Sequence, residues 1–187
     1  IDISSANPWV NLGEIQNKGF DLSATYQKME GNFRYRINSN LTTIKNNVVH
    51  LPYESYISND HITIEGHTIG SFYGYIADGI FQNQEEIDNH AFQTDDTTPG
   101  DIRFVDLNLD GSITQDDMTI IGKPVPDMTF GMGFDLFYKN FDFIVFSYGM
   151  INVDVYNKLR TTIGVATDKD GLDNNKLAET LDYWTED

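Results

Sequence analysis

The residues best spaced for chemistry run Asp106-Leu107-Asn108-Leu109-Asp110-Gly111-Ser112-Ile113-Thr114-Gln115-Asp116-Asp117. With Asp106 counted as position 1, side-chain oxygens fall at positions 1, 3, 5, 9 and 12, glycine at 6 and an apolar residue at 8. This is the spacing of an EF-hand calcium loop. Calcium takes six to eight oxygens at about 2.3–2.6 Å, and a short loop delivers them only with this alternation. The expected ligands are Asp106, Asn108, Asp110, Ser112, Thr114 and Asp117, holding a structural calcium ion that lets an over-acidic loop close. Two features depart from the pattern. Asp117 replaces the longer bidentate Glu, and Asp101–Val105 before the loop reads as a strand rather than a helix. The competing reading is an Asp/Gly-rich turn with no ion.

A second set of side chains suits ligand contact. Tyr53, Tyr56, Phe72, Tyr73, Tyr75 and Phe81 lie among amides and carboxylates, the mixture of flat apolar faces and hydrogen-bonding groups that a carbohydrate or peptide surface requires. Phe72, Tyr73 and Tyr75 are the ligand candidates, against ordinary loop packing. His61 and His67, with Glu65 between them, suggest zinc, but their spacing is not helical and no third ligand is placed; His50 and His90 are scattered. Glu85 and Glu86 are neighbours that cannot face each other on a helix and read as a solvated first turn favoured by the helix dipole. The sequence has no G-x-S-x-G elbow, P-loop or dinucleotide fingerprint. Nothing in it points to an enzyme.

These groups must be positioned by strands. Gly19–Gln27 alternates Phe20, Leu22, Ala24 and Tyr26 against Asp21, Ser23, Thr25 and Gln27, the period-2 pattern of a half-buried strand. After a turn at 28–32 a second alternating run begins at Phe33 and carries Tyr35, Ile37 and Leu41 on one face, which predicts a hairpin. A second pair follows: Asp127–Tyr138, with Met128, Phe130, Met132, Phe134, Leu136 and Tyr138 on one face, and Phe141–Met150, apolar at most positions. Runs of about ten residues, apolar on one face, match outer-membrane barrel strands; a soluble β-sandwich is the other solution. Between the pairs lie residues 46–126, too long for a structureless connection in a compact domain. Within them Asn83 is expected to cap a short helix reaching about Phe92, and 70–75 a compact aromatic loop. Asp173 is expected to cap another helix, carrying Leu177, Leu181 and Trp184 on one face.

Composition narrows the class. The 187 residues include 29 acidic and 12 basic side chains, a net charge of −17, which repels phosphate and argues against nucleic acid. There is no cysteine, hence no disulfide and no thiolate chemistry. No apolar run reaches the length of a membrane helix. Asp outnumbers Glu by 21 to 8 and Asn adds 17, residues that favour turns over helices, while abundant aromatics suit strands. The start at Ile1 and the stop after Glu186-Asp187 read as a piece of something longer.

Several stretches, in order, resemble one family. They are Asn17-Lys18-Gly19-Phe20-Asp21-Leu22; Asn40-Leu41 through Lys45-Asn46-Asn47-Val48; Glu65–Tyr75 with Asp78-Gly79-Ile80-Phe81; Pro99-Gly100-Asp101-Ile102-Arg103-Phe104; Ile121–Pro126; Tyr138–Asp142; and Tyr183-Trp184-Thr185. The chain resembles the C-terminal part of a SusC/RagA-type TonB-dependent outer-membrane transporter. That resemblance implies a 22-stranded barrel with a plug, importing glycans or peptides with a SusD-like lipoprotein and energised through TonB. The chain would then be one partial domain: a strand pair over about 14–45, an extracellular loop over 46–126, a second pair over 127–157 and a loop with a short helix over 158–187. Its open edges and apolar face would invite self-association of the isolated chain. The alternative is an autonomous soluble calcium-stabilised β-domain binding carbohydrate. The strand faces separate the two, because Phe20, Leu22, Tyr26, Phe130, Met132 and Phe134 would face lipid in a barrel and form a protected core in a soluble domain.

Overall fold

The computed structural model describes residues 13–158, 160, 184 and 185, which divide into two compact units. Unit 1 comprises Ile1–Phe72 with Gly122–Asp154, and unit 2 comprises Tyr73–Ile121 with Val155–Asp187. Of the helix expected after Asp173, residues 173–183 lie outside the described residues.

Unit 1 is built on four long strands, β1 (Glu14–Lys28), β2 (Phe33–His50), β9 (Met128–Tyr138) and β10 (Phe141–Ile151), hydrogen-bonded in the order β1-β2-β9-β10. All pairings are antiparallel. Both predicted hairpins form, and β2 and β9, far apart in sequence, are neighbours. At one end of the sheet the connections are short, residues 29–32 and Lys139-Asn140; at the other, β2 leaves and β9 returns around the excursion of residues 51–127. The excursion carries β3 (Ser55–Ser58), β4 (His61–Ile64), β5 (Ser71–Gly74), β6 (Ala77–Ile80), α1 (Gln84–Asp88), β7 (Ile102–Phe104) and β8 (Thr119–Gly122).

The registers turn strand periodicity into two unlike faces. Residues opposite each other share a face, so Leu22, Leu41 and Phe130 form one row and Tyr26, Ile37, Phe134 and Val145 another. That face is apolar almost throughout. The opposite face reads Thr25, Asn38, Gly133 and Ser23, Asn40, Gly131 across the first three strands, and is polar until β10. The apolar face has no cover among the described residues: Phe20 and Leu22 are each 58% exposed, Tyr26 65% and Met132 53%. The sheet therefore does not close on a protected core, as the soluble alternative requires. Among the described residues the buried apolar side chains are Val48, Ile62 and Phe81, none of them in the rows above.

The excursion is fastened to β2 within unit 1. The Val48 N–H donates to the His67 carbonyl at 2.9 Å and the Val48 carbonyl accepts from Gly66. The Glu65 carboxylate accepts from the Leu51 N–H at 2.8 Å and lies 3.0 Å from His50 Nδ1. Its pKa is lowered, first by the Leu51 amide. β2 consequently runs well past Lys45, where the first strand pair was expected to end. The Asn46 amide donates across the ladder to Asn17 Oδ1 at 2.7 Å, so residues whose composition suggests a loop are held extended.

In unit 2, β6 and β7 pair antiparallel. Asn83 caps α1, accepting from the Glu86 N–H at 2.9 Å. The helix ends at Asp88, short of Phe92, because Asn89 is its C-cap and donates its side-chain amide to the Glu85 carbonyl. Phe92 instead pairs with the loop beyond: its N–H donates to Gly111 and its carbonyl accepts from Ile113 at 2.7 Å. Phe81 is buried, with the His90 ring edge-on at 5.2 Å. The Trp184 indole donates to Gln82 Oε1 at 3.2 Å.

Candidate functional site

The 106–117 segment closes through its own polar groups. Asp106 accepts from the Leu109 and Gly111 N–H groups at 2.7 and 2.9 Å. Asn108 Oδ1 accepts from Asp110 N at 2.9 Å, and Asp110 Oδ1 from Ser112 N at 2.8 Å. These successive turns through Asp and Asn side chains are what that alternation favours. Gly111, at position 6, has φ +86, a left-handed conformation that glycine adopts without steric cost. Thr114 caps a single 3-10 turn over Gln115–Asp117, in a reciprocal arrangement with Asp117.

Asp117 is the keystone. It is fully buried, and it accepts from Thr114 N and Leu107 N at 2.8 Å each and from Asn108 N at 3.3 Å. The Thr114 amide is the leading cause that holds its carboxyl below the usual carboxylate range; burial opposes this, and Asn108, Leu107 and a smaller contribution from Asp106 reinforce it. A depressed folded-state pKa means that the stabilisation is present above the unfolded value of about 3.9 and is lost as pH falls through the lower folded value. The loop is thus expected to keep its amide protection from neutral pH to about pH 4 and to open only below it. Hydrogen exchange at Leu107 and Thr114 reads this; loss of protection near pH 6 would contradict it.

The donor set fits calcium in type, being oxygen throughout, and in order along the loop. The carboxylates are at the same time engaged with backbone amides, and among the described residues no three His, Asp or Glu side chains gather as a metal-binding group. Of the zinc candidates, His61 packs its ring 4.9 Å from Phe72, while the His67 carbonyl serves Val48.

The aromatic candidates are largely spent on packing. Phe72, Tyr73 and Tyr75 are all half-buried; Phe72 lies against His61 and Tyr75 against Phe104, at 5.1 Å. Phe81 is buried, whereas Tyr53 and Tyr56 are exposed. Glu86 is more than a solvated first-turn acid. Its carboxylate accepts from the Gln82 N–H at 3.0 Å and lies 3.4 Å from Arg103 Nη1. Arg103 also donates to the Asp78 carbonyl at 3.0 Å and approaches the Asp78 carboxylate at 3.5 Å. This cluster, beside a cavity of about 640 Å³ lined also by Asn83, Glu85, Asn89 and His90, was not foreseen. Its members are far apart in sequence and no motif links them.

No family model matches the sequence. Among curated proteins, TonB-dependent receptor P3 of Formosa agariphila is 31% identical over 187 residues, covering 94% of this chain and 18% of the relative. TonB-dependent receptor SusC of Bacteroides thetaiotaomicron is 26% identical over 158 residues, covering 78% of the chain and 15% of the relative. Among solved structures, one described as the RagAB peptide transporter superposes with a TM-score of 0.67 at 19% identity, covering 94% of the chain and 19% of its counterpart. The fold is thus that of a TonB-dependent transporter, and the chain spans less than a fifth of the relatives' length. The exposed apolar sheet face, the ordered motifs and this sequence similarity agree: the chain belongs to the TonB-dependent receptors of the SusC/RagA type.

Proposed function

We propose that the chain forms part of the wall of an outer-membrane importer for glycans, or for peptides, working with a SusD-like lipoprotein and driven through TonB. The observation that carries this reading is the four-stranded sheet, apolar and uncovered on one face and polar on the other. β9 and β10, at 11 residues each, have the length of strands that cross a bilayer at a tilt, about 9–11 residues. No described helix is long and apolar enough to cross a membrane, so crossing falls to the strands. Outer-membrane barrels place short turns on the periplasmic side and long loops outside the cell. By that rule the 29–32 and 139–140 turns face the periplasm and residues 51–127 are extracellular. The acidic composition suits a hydrated extracellular loop.

Within that loop, Asp106, Asn108, Asp110, Ser112, Thr114 and Asp117 are proposed to hold a structural calcium ion. The ion would neutralise the carboxylates and rigidify the loop; the chain's own contribution is the Asp117 closure. Calorimetric titration of the detergent-solubilised chain with calcium chloride tests this, with Asp106→Ala and Asp110→Ala alongside. Binding by the parent chain that weakens tenfold or more in both variants supports the site, and absence of heat in the parent overturns it.

The transport reading is tested in cells that depend on the full-length receptor. Uptake of a labelled oligosaccharide or oligopeptide should require the receptor, stop when TonB is deleted, and be accompanied by co-purification of a lipoprotein with the tagged receptor. Recovery of the receptor in the soluble fraction would overturn it.

A further inference from the structure

The apolar sheet face is bounded by charge at both ends. On β1 its side chains run Lys18, Phe20, Leu22, Ala24, Tyr26 and Lys28, and between the two lysines none of the residues in register on β2, β9 and β10 is charged. Lys18 and Lys28 stand ten residues apart on β1. That is about 34 Å of strand at about 3.4 Å per residue. At a tilt of about 45° it spans about 24 Å of bilayer, close to the roughly 25 Å of an outer-membrane apolar band. The two rims differ. Around Lys28 the rings of Tyr26, Tyr35, Phe33 and Tyr138 form a chain with successive centroids 5.8, 6.1 and 6.3 Å apart, and Lys139 Nζ lies 5.3 Å from the Tyr138 centroid. At the other rim Lys18 stands directly opposite Lys45, and both are exposed. Like charges directly opposite are destabilising, and among the described residues neither lysine has an ion pair. β2 has both its neighbours, β1 and β9, within the chain. The rest of a barrel extends the sheet beyond β1 and β10 and leaves this face outward.

We propose that Lys18 and Lys45 bind the phosphate of a lipid headgroup where the barrel wall leaves the apolar layer. At that depth a bilayer supplies its anions as headgroup phosphates. Two ammonium groups, each with three donors, are relieved of their mutual repulsion by sharing one. Long lysine stems carry the charge into the headgroup layer while their methylenes stay on apolar surface. The chains of the same lipid would run down over Phe20, Leu22 and Met128, which occupy the next two rows of the face. Lys45 also lines a cavity of about 210 Å³ with Asn47, Lys123 and Asp127. Asp127 is not free to neutralise Lys45, because its carboxylate is engaged by Lys123 Nζ and by the Asn152 amide at 3.0 Å. Asn47, on the same face as Lys45, adds a carboxamide that both donates and accepts. The site rests on the barrel-wall reading above and adds a lipid ligand to it.

The test uses the full-length receptor purified in detergent and titrated with lipid A, a bis-phosphorylated lipid, with native mass spectrometry as the readout. Heat-modifiable mobility on gels confirms that each barrel is folded. Lys18→Gln/Lys45→Gln removes the two charges, and Lys18→Arg/Lys45→Arg keeps them. Lys28→Gln/Lys139→Gln removes two charges from the opposite rim. The deacylated, water-soluble bisphosphate disaccharide separates a lipid from a soluble anion. The expected result is that the parent binds lipid A and that Lys18→Gln/Lys45→Gln loses about tenfold or more in affinity. The arginine pair and the opposite-rim pair should keep the parent affinity. No binding by a folded parent, or unchanged affinity in Lys18→Gln/Lys45→Gln, overturns the site and leaves the wall reading standing. An equal loss in the opposite-rim pair means a general effect of charge and also overturns the site. Binding of the deacylated disaccharide as tightly as lipid A assigns the lysines to a soluble anion and overturns the lipid ligand. A parent with no heat-modifiable barrel overturns the wall reading, and the site with it.

Discussion

Met132→Arg is expected to destabilise the full-length receptor in lipid by about 2–4 kcal/mol, the cost of an arginine at the lipid-facing midplane of a transmembrane barrel. Met132 lies near the centre of β9 and shares the apolar face with Phe130 and Phe134. The side chain is 53% exposed within the chain. At an exposed position of a water-facing sheet the same substitution would shift stability by no more than about 0.5 kcal/mol. Thr25→Arg is the control, because Thr25 occupies the polar face of β1 and an added charge there meets water or polar groups. Urea titration of the receptor folded into vesicles reads both variants. A cost for Met132→Arg no larger than that for Thr25→Arg would remove the argument that this face meets lipid.

The four long strands are legible in the sequence because their alternation is unbroken and each face meets one kind of environment. A side-chain period of two then translates directly into structure. Less legible is which strands are neighbours. The β2–β9 pairing spans the whole excursion, and no residue in either strand names its partner. The facing of the β10 aromatics is concealed for the same reason. Phe141–Met150 reads as apolar at most positions, and only the register places Phe146 and Tyr148 opposite glycines on the polar face. Composition misleads where long-range contacts decide. Asn46, Asn47 and Val48 look like a loop, yet the amide pairing to Asn17 and the burial of Val48 extend β2 to His50. Likewise α1 stops at Asp88 because Phe92 is captured by Gly111 and Ile113, a contact that the helix signals around Asn83 cannot anticipate. The 106–117 loop is the opposite case. Its turns are made by neighbours two to five residues apart, so the local spacing carries the geometry.

Phe81→Ala is expected to cost about 3–5 kcal/mol, the range for deleting a buried phenylalanine side chain. The penalty should fall on unit 2 alone. Phe81 is 1% exposed, and among the described residues it is the fully buried apolar side chain of that unit, Val48 and Ile62 belonging to unit 1. Its backbone is fixed on both sides, the N–H donating to the Asp101 carbonyl at 3.0 Å and the carbonyl accepting from Gly100 at 2.8 Å. The ring is therefore held in place, and its removal leaves a cavity beneath His90 rather than a relaxed chain. His90 is two residues from Phe92, whose backbone clasps the loop at Gly111 and Ile113, so the loss should propagate to the calcium candidate. Hydrogen exchange should rise across residues 73–121 while protection in β1, β2, β9 and β10 is retained. Phe81→Leu keeps most of the apolar volume and should cost less than about 1.5 kcal/mol, with protection of the 106–117 loop near that of the parent. Equal exchange in Phe81→Ala and the parent would mean that unit 2 is organised by the Arg103 ion pairs instead, and Arg103→Gln would then give the larger effect.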